Sequence, residues 1–284
     1  MGLTSSQLET ILSLLSDTDE EIVASVRNKL HEMGRSVTEE VATAAQPDSP
    51  SRREAERVLA RFREPPVEEQ FRDLAEGEAD LEKGAIIIAR FGYPDLHVGA
   101  ITAKLDRLAA DLAPNVAPDD HPVRVIRTVN TFLFDTCKFQ GAFDYSRAPN
   151  PDDSYLHRVL ERRRGLPIAL ATMYILLGRR IDVPFEGVNT PNHFLIRLPC
   201  ELDDEDGPED ILLDPFNRGR ILTRNECADV VGRPVTDDDL GFLPDRKILA
   251  RMLANLVTAY SVRGDQKRAE HIIVLLNILN SEPT

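Results

Sequence analysis

The run at residues 163–180, RRGLPIALATMYILLGRR, constrains this chain more than any other stretch. No charged residue lies between Arg164 and Arg179, so a helix here is apolar on every face and must be covered on every face. A membrane span takes roughly 20 apolar residues, and neither this run nor any other approaches that length. The segment is therefore expected at the centre of a water-soluble core. Pro167 suits its first helical position, where the missing N–H would have no intrahelical partner.

Near Pro184 the hydrophobic period changes. Residues 185–188, 193–198 and 211–214 read as strands. Strands that follow many helices, rather than alternating with them, indicate an α+β fold in which the buried helix packs on a small antiparallel sheet.

The flanks read as helical. In residues 1–64, Thr18-x-x-Glu21 has the form of a capping box, Ile22, Val26 and Leu30 recur at helical spacing, and Gly34 ends the run. The wording resembles a HEAT-type repeat, and Pro65-Pro66 marks the boundary of this module. Ile101, Leu105, Leu108 and Leu112 form a core stripe. Ile126, Val129, Leu133 and Cys137 form another, which would place Cys137 on a packed face. In residues 244–284, Leu256, Tyr260, Gly264 and Ala269 follow the spacing of a tetratricopeptide-like helical hairpin. One hairpin cannot bury both its faces, so it should pack against the domain at residues 65–243.

The net charge is -14, and half of it lies in residues 201–210, ELDDEDGPED. Unpatterned acids around Gly-Pro are expected to form a solvated loop rather than a metal site. Phosphate backbones require a basic surface, which argues against nucleic acid. The three cysteines, Cys137, Cys200 and Cys227, are odd in number and lack metal-ligand spacing, which suits a reducing compartment. With no basic-then-apolar N-terminus, the expectation is a cytoplasmic protein, off the membrane, with no metal and no cofactor.

Several ordered segments carry a resemblance. SYLHRVLERRRGLPIALATMYILLGRRIDVPFEGVNTPNHFLIRL at residues 154–198, ILLDPFNRGRIL at 211–222 and FGYPDL at 91–96 resemble the SirB1 family of bacterial proteins, within the transglutaminase-like superfamily. The resemblance implies a papain/transglutaminase-like core and a Cys, His, Asp triad in that chain order. The Cys would open the buried helix, the His would begin one strand, and the Asp would sit on the next. His193 and Asp214 match the second and third positions. Gly165-Leu166-Pro167 matches the first, with Pro167 where the Cys should stand.

Proline supplies neither the thiolate nor the backbone N–H that such sites use. The expected function is therefore a non-catalytic, protein- or peptide-binding or regulatory module. The alternative is a cysteine-protease-like hydrolase or amide transferase whose relocated nucleophile works with His193 and Asp214. Strand alternation puts Cys200 on the face opposite His193, Cys227 falls at a helix start, and Ser154 and Thr172 have no matched base. The rim candidates for a ligand or partner are Arg163, Arg164, Asn189, Asn192, Asn217 and Arg218. Arg162, Arg163 and Arg164 are expected near the helix N-terminus, adverse to its dipole unless an anion or an acidic partner relieves them. Asp153 stands where the family commonly has Asn.

Overall fold

A computed structural model describes residues 3–62, 65–142, 148–191, 193–200 and 210–281. The chain groups into two compact units, one of Met1–Pro66 with Tyr93–Leu96 and the other of Val67–Gly92 with His97–Thr284.

The first unit contains α1 (Ser5–Leu14), α2 (Glu20–Met33), α3 (Arg35–Ala44) and α4 (Pro50–Arg61). The expected capping box at Thr18 does not form. Asp19 caps α2 instead, accepting the Glu21 N–H at 2.9 Å. The inward face is also rotated, to Val23, Arg27 and Leu30, and Ile22 is exposed. Arg27 can occupy this face because Glu20, Glu54 and Asp95 surround its guanidinium at 2.6, 2.5 and 2.9 Å. A buried cation needs such pairing. Gly34, at φ +97°, turns the chain into α3.

The second unit begins with α5 (Val67–Glu76), α6 (Leu81–Gly92), α7 (Val98–Leu112) and α8 (Pro122–Asn130). Helix α8 runs on into a π-helical turn, Thr131–Thr136, in which the Cys137 N–H bonds the Phe132 carbonyl at 2.8 Å. This corrects the stripe expected through residue 137. Ile126, Val129 and Leu133 are buried, but the wider turn leaves Cys137 only half-buried.

Next come β1 (Gln140–Gly141), α9 (Leu156–Arg162), β2 (Arg164–Gly165), α10 (Pro167–Arg180), β3 (Glu186–Val188), β4 (Ile196–Leu198), β5 (Ile211–Asp214) and β6 (Arg220–Leu222). The chain closes with α11 (Arg224–Val231), α12 (Asp237–Leu240), β7 (Phe242–Leu243), α13 (Asp245–Val262) and α14 (Gln266–Asn280). The fold is α+β. The five-stranded sheet has the order β6-β5-β4-β3-β7, every pair antiparallel. Opposite charges register across it, since Arg197 reaches Glu186 on the facing strand at 2.8 Å.

Every residue from Ile168 to Gly178 is buried. Helix α10 is covered by α6, α7, α9, α13, β3 and the turn that follows β5, as its all-round apolar surface requires. Helix α13 packs on α6 and α10, and α14 packs on α5. Ile248, Leu249, Met252, Leu253 and Leu256 of α13 are 0–1% exposed. At about 1.5–3 kcal/mol per large apolar side chain, that face is integral to the core. Tyr260 on α13 shares a hydrogen bond of 2.8 Å with the Tyr155 hydroxyl. No helix among the described residues is long and apolar enough to cross a membrane. Asn192 and residues 201–209 of the acidic run lie outside the described residues.

Candidate functional site

Strand β5 ends at Asp214, and Pro215 then starts a single 3-10 turn, Pro215–Asn217. The Asp214 side chain, 1% exposed, caps this turn. Its Oδ1 accepts the backbone N–H groups of Phe216 and Asn217 at 3.1 and 3.2 Å, and its Oδ2 accepts the Asn217 Nδ2 at 2.6 Å. Oδ1 also meets His193 Nε2 at 2.8 Å. Burial by itself pushes the Asp214 carboxyl up. The His193 bond and charge and the two Asn217 donors outweigh it and hold the group below its ordinary value. Asp214 is therefore ionised near neutrality, and a carboxylate only accepts, so the hydrogen bond at 2.8 Å runs from His193 Nε2 to Asp214 Oδ1.

His193 does not stand on a strand. It lies in the bend three residues before β4, so the alternation that set it opposite Cys200 does not apply. The bend is held from α13. Arg251 donates to the Thr190 carbonyl at 2.7 Å and the His193 carbonyl at 3.0 Å, and its guanidinium lies 4.9 Å from the centre of the Phe194 ring. The Thr190 hydroxyl closes the same bend by donating to the His193 carbonyl at 3.0 Å. Burial lowers the pKa of Arg251, yet the two carbonyls and the ring face give the cation polar company. Arg251 was not legible as a site residue, because it lies 58 residues from the bend and nothing local marks it.

The start of α10 is tied to this pair through two contacts. Strand β2 pairs in parallel with β1, placing Gly141 opposite Gly165, two residues before Pro167. Gly141 lies flat on Phe216, where a Cβ would come within 2.7 Å of the ring. The Phe216 ring in turn meets His193 edge-on, with centroids 5.8 Å apart. Pro167 opens α10 as its first residue, behind the N-cap Leu166.

The arginines sit differently from the sequence expectation. Arg162 ends α9, where a cation complements the helix dipole, and Arg163 caps that helix at φ +54°. Arg162 and Arg164 face the buried carboxylate of Asp153 at 3.0 and 3.7 Å, as ion pairs rather than aligned hydrogen bonds. Burial still raises the pKa of Asp153, with the two arginines offsetting only part of that effect. The adverse cluster at the mouth of α10 is thus not formed. Arg163 is exposed, Arg218 pairs with Asp135, and Asn189 is exposed while its N–H bonds the Gly241 carbonyl at 3.3 Å. Asn217, exposed at the turn, is committed to Asp214.

None of the thiols has an activated setting. Burial pushes Cys227 up to about 11, helped by Glu226 and Asp214, and burial also raises Cys137 and Cys200. Cys200 donates to the Leu198 carbonyl at 3.2 Å. Thr172 is fully buried and directs its hydroxyl to the Met252 sulfur at 3.7 Å. Among the described residues no group of three or more His, Cys, Asp or Glu side chains gathers as a metal site.

The family described as Transglut_core2, transglutaminase-like superfamily, matches residues 99–254, more than half of the chain. The chain belongs to the transglutaminase-like superfamily. This transglutaminase-like chain is 36% identical over 194 residues to a UPF0162 protein of Xylella fastidiosa, covering 65% of this chain and 66% of that protein. It is 34% identical over 135 residues to a UPF0162 protein of Pseudomonas aeruginosa, covering 44% and 47%. It is also 38% identical over 138 residues to F-box only protein 21 of Homo sapiens, covering 48% of this chain and 22% of that protein. The chain spans less than two thirds of the length of each of these relatives. No solved structure matches the chain.

Proposed function

We propose that this protein is a SirB1-type, non-catalytic transglutaminase-like module that binds a protein or peptide segment at the rim of the His193–Asp214 cleft. The observation that carries this reading is Pro167. It is the first residue of α10, where the resemblance would put the nucleophile, while His193 and Asp214 meet at 2.8 Å. A scaffold shaped for an amide substrate but lacking the attacking atom retains surface for recognition and loses covalent chemistry. The exposed cation Arg163 and the outward-facing Arg218 favour an acidic segment at the rim.

The experiment has a chemical arm and a binding arm. In the first, wild type and His193→Ala are treated with a cysteine-directed electrophile and analysed by intact mass; no adduct should depend on His193. A stoichiometric adduct lost in His193→Ala would establish the rival reading, a hydrolase or amide transferase with a relocated nucleophile. In the second, an array of acidic and basic peptides is probed with wild type and with Arg163→Glu/Arg218→Glu. Acidic peptides should be retained by wild type and released by the variant. Identical profiles would remove the rim from the function.

A further inference from the structure

The π-helical turn that follows α8 also borders an opening whose lining includes neither His193 nor Asp214. A cleft of about 420 Å³ opens among the end of α7, α8 and this turn, within the usual size range of small-molecule sites. In a chain of net charge -14, the charged side chains lining it are Arg124 and Arg127. Residues 124, 127, 128 and 131 stand at helical steps of three, one and three, so both arginines, Thr128 and Thr131 share one face. Thr136, at the far end of the turn, adds a further hydroxyl, and Phe132 and Leu112 supply apolar wall.

The arginines are not used up by the fold. Arg124 meets Asp120 through Nε at 3.2 Å, which leaves its terminal nitrogens to the cleft, and it is 72% exposed. Arg127 is exposed, and no acidic partner faces it among the described residues. Like charges three residues apart on a helix cost a few tenths of a kcal/mol, and a shared anion converts that cost into attraction. Inserted π turns are often found at functional sites. Here the turn has a direct effect, since it brings Thr131, Phe132 and Thr136 to the same opening.

We propose that this cleft binds a small organic phosphate. The phosphoryl oxygens would accept from Arg124, Arg127 and the threonine hydroxyls, and the apolar body would lie against Phe132 and Leu112. Phosphate matches the donor set better than carboxylate. It presents three terminal oxygens to two planar guanidinium forks and several hydroxyls, whereas a carboxylate would leave donors unused. This site is separate from the Pro167–His193–Asp214 cleft and does not depend on the function proposed for that cleft.

The probe is phenyl phosphate, titrated into the full-length protein by calorimetry, with inorganic phosphate and benzoate as comparisons. Phenyl phosphate should bind at one saturable site and more tightly than either comparison. Loss of one charge-assisted contact is worth roughly tenfold in affinity, so Arg127→Ala should weaken binding about that much and Arg124→Ala/Arg127→Ala further. Both positions are exposed, and the melting temperature without ligand should hold, showing that the variants fold. No saturable binding, or unchanged affinity in the double variant, would overturn the site. Benzoate binding as tightly would overturn the phosphate assignment, and inorganic phosphate binding as tightly would overturn the apolar wall.

Discussion

Asp214 and Pro167 carry the functional argument at the scale of single residues. Asp214 bonds His193 and also caps its own turn, so one carboxylate ties the ring to the end of β5. Pro167 can be tested by restoring the missing atom. Pro167→Cys should gain a thiol that alkylates at neutral pH, and Pro167→Cys/His193→Ala should react about tenfold more slowly, because the imidazole no longer stabilises the thiolate. Equal rates would show that residue 167 and His193 do not face each other. Gly219 is a second decisive residue. It stands at φ +67°, and a Cβ there would fall 1.7 Å from Asn130 Oδ1, whose amide holds the Gly219 carbonyl at 2.8 Å and the Tyr174 hydroxyl at 3.0 Å. Gly219→Ala should cost about 3 kcal/mol by chemical denaturation, from left-handed backbone strain plus the forced displacement of Asn130. His157 supplies a pH dependence. Burial lowers its pKa to about 4, below the ordinary value of about 6.5, so between these limits the unfolded chain binds more protons and stability falls as pH falls. That contribution is complete above about 6.5 and lost on acidification toward 4. Urea midpoints from pH 7 to 4.5 should show the decline in wild type and a flatter profile in His157→Phe. The same slope in both would assign the effect to other groups.

At the scale of elements, the bend that carries His193 is governed by α13. Arg251 satisfies two carbonyls of the bend while stacking on Phe194, a job that would otherwise fall to water in a half-buried place. Arg251→Met keeps much of the apolar stem and removes both donors. It should destabilise the protein by about 2–3 kcal/mol, since two carbonyls lose charge-assisted partners, and it should speed hydrogen exchange in the bend and at the start of β4. Unchanged exchange there would mean that the bend is held by Thr190 and Asp214 alone. The π turn after α8 is a comparable device. It displaces Cys137 from the stripe of Ile126, Val129 and Leu133 and sends Asp135 to Arg218, next to the Asp214 turn.

At the scale of the molecule, the C-terminal hairpin decides whether there is a core at all. A single hairpin cannot bury both its faces, and α13 lies directly on α10 and α6. A chain ending at residue 243 should therefore be recovered as insoluble or molten protein, without near-ultraviolet dichroism. A cooperative unfolding transition in that truncation would show the hairpin to be dispensable. The buried helix, the α+β class and strands within 185–188, 193–198 and 211–214 were legible in the sequence because local periodicity carries them, whereas the pairing of His193 with Asp214 was implied by the resemblance to the transglutaminase-like superfamily. The same information determined that a proline opens α10. Only the tertiary structure decided the two-residue strands β1, β2 and β7, which are too short to show a period. It alone placed Arg162 and Arg164 on Asp153, set the inward face of α2 around a neutralised Arg27, and brought Arg251 to the His193 bend. Each of these depends on a partner distant in sequence, and hydrogen bonds and ion pairs of that kind leave no local pattern to read.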